Sequence, residues 1–359
     1  MNQDRKKRPS LEDVAEAAGV SRATVARALS GKGYVDKQKR EVIENAAKQL
    51  GYRTSAIARA LRTQRSRSIG VLVADITNPI FPQIVKGIDD VLSAEGHIIF
   101  LCNTDENTAK QFKLASSLID RNVDGLILVS QNLESEGFRN LLAGGPPCIY
   151  VNRRPLEGEY DYVGSDNEQA IEFLVEHLVG LGHRQIGFIA GSANSSTARE
   201  RREFYHRALE RRGITMEDNF VFQGDYTIEG GRRAFVEMMQ RGPALTAVMA
   251  SNDFSALGFI DAAQAFGLTV PGDISVTGFD DTAGVNSFMK YPLPIKGLTT
   301  IYQSKREIGI HAANMMLRRL DGSAGTAPQV AIVPTNLRAR DTTGEVRLVR
   351  KKSAVQRQN

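Results

Sequence analysis

Cysteine is scarce in this chain of 359 residues: only Cys102 and Cys148 occur, both inside apolar, strand-like runs. Two such residues exclude a disulfide scaffold and a cysteine-based zinc site, and they suit a reducing cytosol. Long apolar stretches are lacking as well. The longest, at residues 69–74 and 98–102, fall far short of a bilayer span. The opening MNQDRKKRPS is charged and has no apolar core behind it, so a cytoplasmic protein without a secretory signal is expected. Enzyme signatures are missing too. Gly31 and Gly33 have Asp36 where the third glycine of G-x-G-x-x-G would stand, and there is no P-loop, H-E-x-x-H or G-x-S-x-G. None of the five histidines (His97, His177, His183, His206, His311) has an i+4 histidine partner, and most sit at element ends, so they read as structural. The adjacent pairs Asp89-Asp90 and Asp280-Asp281 do not by themselves form a catalytic dyad. No catalytic residue, metal site or cofactor is expected.

What is present is an ordinary folded composition, 42% hydrophobic and 24% charged, at a length that suits two or three domains. Its net charge of +5 is unevenly spread. Residues 1–67 carry 16 Lys and Arg against 7 Asp and Glu, residues 68–344 carry 25 against 33, and residues 345–359 carry 5 against 1. A basic head on an acidic body suggests that the head alone meets a polyanion. The head is not a solvated low-complexity tail, because helical patterning runs through it.

Ser10 reads as a helix N-cap, with Asp13 placed for a capping box. Leu11, Val14, Ala15 and Ala18 recur at helical spacing, and Gly19 is the stop. Ser21 caps a second helix over 22–29 with Val25 and Leu29 inward. Asp36 caps a third over 37–50, with Val42, Ile43, Ala46, Ala47 and Leu50 inward and Gly51 as the stop. Two short helices joined by a glycine-containing turn and braced by a third make a helix-turn-helix. Any three-helix bundle could show this apolar pattern. The second helix adds an outer face of Ser21, Arg22, Ala23, Ala26 and Arg27, which has cations and small residues but no carboxylate, as a helix entering a DNA groove requires. After Tyr52, residues 55–62 have helix propensity but span only about two turns, marginal in isolation and suited to folding on DNA. Leu61, followed by Arg62, Arg65 and Arg67, fits an apolar minor-groove wedge flanked by phosphate contacts.

Residues 9–61, with VAEAAGVSRATVARALSGKGYV and LGYRTSAIARALRTQRS, resemble the lactose/galactose repressor (LacI/GalR) family. The resemblance implies that Arg22, Ala23 and Arg27 read bases, that Ser21 and Thr24 contact phosphates, that Tyr52 belongs to the DNA-contacting set, and that Leu61 is the hinge-helix wedge. Ala26 departs from the serine common in the family. Thr54-Ser55 replace its Pro-Asn, which removes a rigid start to the hinge helix, though Ser55 can still cap it.

From Ser68 strand-like runs (69–74, 97–103, 125–130, 148–152, 185–190, 247–250, 274–279) alternate with amphipathic helices (84–95, 168–181, 198–212, 230–240, 253–266). Such alternation implies parallel sheets covered on both faces, and a body of this size suggests two lobes. In such folds functional groups follow the C-terminal ends of strands. Those loops (75–81, 103–105, 130–131, 152–154, 191–201, 251–253, 279–281) offer carboxylates, amides, guanidinium groups and a few aromatics, a mix suited to hydroxyl-rich ligands. The competing reading for each polar residue, Asn252 above all, is helix capping.

The resemblance continues through ADITNPIF, VDGLILVS, EHLVGLGHRQIGFIAG, ASNDFSALG, TVPGDISVTGFDD, LTTI and VPTNLRARDTTG, in family order. It implies an effector site containing Arg201, Asn252, Asp280, Phe81 and Tyr226, with Asp166 as a weaker member. Phe204-Tyr205 stand where the family has glycine before an aromatic, which implies an altered pocket there. The architecture implied is an N-terminal all-α helix-turn-helix domain (1–54), a hinge helix and linker (55–67), a two-lobed α/β body like the periplasmic binding proteins (68–344) and a basic tail (345–359). The function implied is a transcriptional regulator that binds a near-palindromic operator as a homodimer under control of a small-molecule effector, a sugar or sugar derivative. The tail lacks the leucine heptad of tetrameric members, hence the dimer. The rival readings are a transport receptor, disfavoured by the basic head, and a sugar-binding or sugar-converting protein with an accessory DNA-binding head. Substituting Arg201 by Ala is expected to abolish ligand response without affecting folding.

Overall fold

The computed structural model describes residues 9–30, 34–52, 65–132, 136–155, 158–215, 218–242, 244–284, 287 and 293–346. The expected hinge helix, with Thr54, Ser55 and Leu61, and residues 347–359 of the basic tail lie outside this set.

The chain divides into two compact units at Arg67 and Ser68. The first contains α1 (Leu11–Ala18), α2 (Arg22–Ser30) and α3 (Lys37–Leu50). Local chemistry sets each end. The Ser10 hydroxyl accepts from the Asp13 amide at 3.3 Å while the Asp13 carboxylate accepts from the Ser10 amide at 2.6 Å. Gly19 and Gly51 both close their helices in the left-handed region, φ 63° and 65°. The core is Val14, Ala15, Val25, Ala28, Ile43, Ala46 and Ala47. Two residues expected inward are not: Val42 is 50% and Leu50 38% exposed. At about 100° per residue, Val42 sits one step off the seam centred on Ile43, Ala46 and Ala47, and Leu50 lies at the helix end. Ala28 is buried where Leu29 was expected; Leu29 only flanks the core.

The second unit has two lobes. The strands of lobe 1 are β1 (Ser68–Val73), β2 (Ile98–Asn103), β3 (Gly125–Val129), β4 (Cys148–Val151), β5 (Asp161–Ser165) and β11 (Val330–Val333). They form one sheet in the order β11-β5-β4-β3-β1-β2, with all pairs parallel. Lobe 2 holds β6 (Ile186–Ile189), β7 (Val221–Phe222), β8 (Ala247–Ala250) and β9 (Ser275–Thr277), parallel in the order β7-β6-β8-β9. An antiparallel pair, β10 (Thr300–Gln303) and β12 (Thr335–Arg338), extends lobe 2. Helices cover both faces, because each strand alternates two apolar faces. On lobe 1, α4 (Ile80–Ala94) and α11 (Lys305–Asp321) cover the side of Ile69, Val71 and Val73. On the other side α5 (Thr108–Asp120) and α6 (Glu136–Ala143) cover Leu72, Leu126 and Leu128. On lobe 2, α7 (Asn167–Gly180) and α8 (Ser196–Glu210) cover one face, α9 (Ile228–Arg241) and α10 (Asp253–Ala265) the other. Strands β5, β7, β10, β11 and β12 and helices α5, α6 and α11 are additional to the stretches expected from sequence.

The chain crosses between the lobes after β5, β10 and β11, and the Ser165 hydroxyl donates to Gln303 Oε1 at 2.6 Å to tie the first two crossings. Helix pairs are seated on glycines. A Cβ at Gly87 of α4 would lie 2.2 Å from the Arg306 carbonyl oxygen of α11, and one at Gly258 of α10 would lie 1.8 Å from that of Ile228 of α9. Both pairs begin at the cleft between the lobes, so this close approach sets where their first turns stand. His183 is buried between Thr246 (2.9 Å) and the Gly344 carbonyl (3.0 Å), fastening the C-terminal segment to lobe 2. Cys102 and Cys148 are free thiols. Among the described residues, no helix is long and apolar enough to cross a membrane.

Candidate functional site

The C-terminal ends of the strands in both lobes open onto one cleft of about 600 Å³. Lobe 1 contributes Asp75, Phe81, Glu106, Ser130, Asn152 and Arg153, and lobe 2 contributes Arg201, Tyr226, Asn252 and Asp280. Of the effector residues expected from sequence, Phe81, Arg201, Tyr226, Asn252 and Asp280 are therefore brought together. Asp166 is not among the lining residues. Its carboxylate accepts from the Gln169 amide at 2.9 Å and caps α7. Asn252 does both jobs: its Oδ1 caps α10 through the Ser255 amide while its Nδ2 donates to the Tyr226 carbonyl, each at 2.9 Å.

Backbone conformation aims these groups. Among the described residues, five of the nine non-glycine residues with positive φ line the cleft: Glu106, Ser130, Asn152, Tyr226 and Asp280. Such strain concentrates at binding sites because the surrounding fold must hold it. Asp280 is the extreme case, at φ 121°. It follows β9, which ends at Thr277 and so is shorter than the run 274–279 suggested, and it turns its carboxylate toward Gln303 Nε2, which donates to it. The Lys305 ammonium donates to the carbonyls of Asp280 and Asp281.

Arg201 is 5% exposed, and its guanidinium carbon lies 3.4 Å from the Phe279 ring centroid. Its Nε donates to Asn167 Oδ1 at 3.0 Å and its Nη1 to the Ser251 carbonyl at 2.6 Å. Behind it, burial raises the carboxyl of Asp253, and the nearby Asp280 raises it further. Burial also raises Asp280, against the pull of Arg201 and Lys305. Asp253 accepts from the Thr282 amide (2.7 Å) and the Thr300 hydroxyl (2.6 Å). The altered pocket expected at Phe204-Tyr205 is not found. Tyr205 is buried, stacks on Phe188 at 4.8 Å and donates to the Ile186 carbonyl, and Phe204 flanks the same core. Glu106 and Gln303 escape a reading of the sequence. Glu106 lies one residue past the strand-end loop at 103–105, and Gln303 ends a strand that periodicity does not reveal, although polar Gln303 after Ile301 in LTTIYQ follows the same strand-end rule.

In the first unit, Ser21 just before α2 and Arg22, Ala23 and Arg27 along it are exposed, while Val25 and Ala28 of the same helix are buried. The Ser21 and Thr24 hydroxyls are 2.9 Å apart. Arg22 meets Glu12 at 4.0 Å with both side chains largely in water, too loose a pair to hold it. Tyr52 is half-buried against the three-helix core.

Comparison with known proteins follows the same division. Residues 10–55 match the family described as bacterial regulatory proteins, lacI family, and residues 66–341 match periplasmic binding proteins and sugar binding domain of LacI family. Catabolite control protein A of Priestia megaterium is 31% identical over 313 residues, covering 87% of this chain and 92% of that protein. Among solved structures, the Lac repressor dimer bound to operator and the anti-inducer ONPF is 30% identical with a TM-score of 0.81, covering 94% of this chain and 100% of that one. A CelR transcriptional regulator–cellobiose complex is 30% identical with a TM-score of 0.68 over 93% of this chain and 100% of that one. A three-helix unit with a cationic outer face and a two-lobed body with its cleft at the strand ends, each matched along its length, make this chain a transcriptional regulator of the LacI family.

Proposed function

We propose that this regulator binds a near-palindromic operator as a homodimer and that a sugar or sugar derivative in the cleft controls its DNA affinity. The cleft carries this reading. Carboxylates and amides from both lobes face one space with the Phe81 and Tyr226 rings, an arrangement that hydrogen-bonds hydroxyls and covers a sugar ring. Arg201, Tyr226, Asn252, Asp280 and Phe81 are the proposed contacts, and Asp166 caps α7, whose first residue Asn167 accepts from Arg201. The cellobiose held by the similar regulator supports the ligand class, and the operator held by the similar Lac repressor supports the DNA partner. In the head, Arg22, Ala23 and Arg27 would meet base edges and Ser21 and Thr24 phosphates. Edge strand β2 supports the dimer, since it shows Ile98, Phe100 and Leu101 at 58%, 40% and 45% exposure, an apolar edge that a second copy would cover.

The test is selection of bound fragments from the source genome, followed by operator titrations against a sugar panel. An inverted-repeat motif and one sugar that shifts operator affinity, recovered chemically unchanged, are expected. Binding without any repeat would overturn the dimer, and turnover of the sugar would overturn the regulatory role of the cleft.

A further inference from the structure

We propose that Glu106 is a specificity residue that bars anionic ligands from the cleft and restricts it to uncharged polyols. This rests on the reading that the cleft is the effector site and adds its charge selectivity.

Arg153 is the lining cation of lobe 1, and its side chain is only 8% exposed. Both of its terminal nitrogens are taken: Nη1 donates to Glu106 Oε2 at 2.8 Å and Nη2 to Glu106 Oε1 at 2.9 Å. That two-pronged edge is the one a phosphate or carboxylate group would use. Glu106 occupies it, and with 48% of its own side chain exposed it meets an incoming anion first.

The backbone is bent to place it there. Asp105 and Glu106 both stand in the left-handed region at φ 53°, which non-glycine residues rarely adopt in succession. The turn lets the Glu106 amide donate to the Ala74 carbonyl at 3.0 Å, which anchors the loop to the end of β1. Strain at this point is explained if the carboxylate has a task in the cleft. The other lining arginines already spend donors within the protein. Arg201 is bonded to Asn167 and Ser251, and Arg232 to Asp261 and Glu229. Asp75 and Asp280 meanwhile present carboxylates from opposite lobes, which attract hydroxyl donors and repel negative charge.

The experiment uses the full-length protein, wild type and Glu106→Gln, an isosteric change that removes the charge. The first probe is inorganic phosphate, followed by phosphorus NMR titration. Wild type is expected to show no saturable binding, Glu106→Gln to acquire it, and Glu106→Gln with Arg153→Met to lose it again. The second measurement compares neutral sugars with their 6-phosphates and uronic acids on both proteins. Glu106→Gln should shift the neutral-to-anionic affinity ratio toward the anion by about tenfold or more, the scale of one charge-assisted contact. Thermal unfolding checks that the variant folds. If it does not, wild type alone still decides: a phosphorylated or acidic sugar bound as tightly as its neutral parent overturns the proposal. So does wild-type phosphate binding equal to that of the variant, or an unchanged ratio in a folded variant. If no sugar of either charge alters operator affinity, the sugar-effector reading fails by itself, and the phosphate titration still judges Glu106.

Discussion

Arg201 shows how a single residue can belong to the ligand site and to the framework at once. Its guanidinium supplies hydrogen bonds to Asn167 Oδ1 and the Ser251 carbonyl, both on buried residues. The structure adds a framework role to the ligand role expected from sequence. Arg201→Ala is expected to abolish ligand response and also to cost about 3 kcal/mol of stability, since two buried acceptors lose their donor. Denaturant unfolding of the variant measures the cost, and wild-type stability would show that water replaces the guanidinium. A cleaner probe of the cleft is Gly191. A Cβ there would stand 2.1 Å from Tyr226 Cζ, so Gly191→Ala must move the ring. Ligand affinity should fall about tenfold, as for loss of one well-placed ring, while operator binding without ligand stays as in wild type. Unchanged ligand affinity would remove Tyr226 from the ligand-binding set. In the head, Arg22→Ala and Arg27→Ala should each relax base preference at one position per half-site, costing roughly 1–3 kcal/mol for the preferred base. Equal loss on every sequence would instead assign them to phosphates.

At the scale of elements, the helix pairs and the buried carboxyls behind the cleft carry the testable consequences. Gly258→Ala drives a methyl against the Ile228 carbonyl in a backbone clash that no rotamer can relieve. It should destabilise lobe 2 by about 3 kcal/mol or more, and it should shift the first turns of α9 and α10 at the cleft. Asp253 and Asp280 predict a pH dependence. Burial raises both, so the native state holds protons that the unfolded chain has released. Their effect on stability is therefore most favourable below the unfolded aspartate value, about 4, and is lost as pH rises through the raised native values, about 6 and about 7. Relative to Asp253→Asn, wild type should lose melting temperature between roughly pH 4 and pH 7, and parallel melting curves would place the Asp253 carboxyl in its ordinary range. The elements themselves are unevenly legible in sequence. The three head helices carry their caps and stops in adjacent residues, Ser10 with Asp13, Asp36 and Gly51, so spacing alone locates them. β1 and β3 are unbroken apolar runs and are equally plain. β7 is two residues long, and β5 begins on Asp161, which is buried because Arg319 pairs with it from α11. No local pattern announces a partner so far along the chain. The cleft is legible where a strand end shows its polar residue next to an apolar run, as at Asn252 and Asp280. It is not legible at Glu106, whose role depends on a left-handed turn and on Arg153 in another loop.

For the whole molecule, charge and one apolar edge decide how the parts act together. Phe100→Glu puts a carboxylate on the exposed edge strand β2 without touching the core. Under the proposed dimer it should give a folded monomer by sedimentation and sharply weaker operator binding, because two half-sites are then held independently. A variant that stays dimeric would move the interface elsewhere. The division of charge, +9 on residues 1–67 against −8 on residues 68–344, makes a separate claim. An acidic body is repelled by phosphate, so counterion release on binding must come from the head and linker. Operator affinity should accordingly fall steeply and linearly on logarithmic axes with salt, by about 10³ or more between roughly 50 and 200 mM if about six phosphates are neutralised. That slope should not change when exposed carboxylates of the body, Glu95 and Asp120, are neutralised to Gln and Asn. Affinity should rise slightly at low salt through weaker long-range repulsion, but the number of ions released stays the same. A slope altered by about one unit, the signature of one more or one fewer phosphate neutralised, would show that the body itself lies on the DNA.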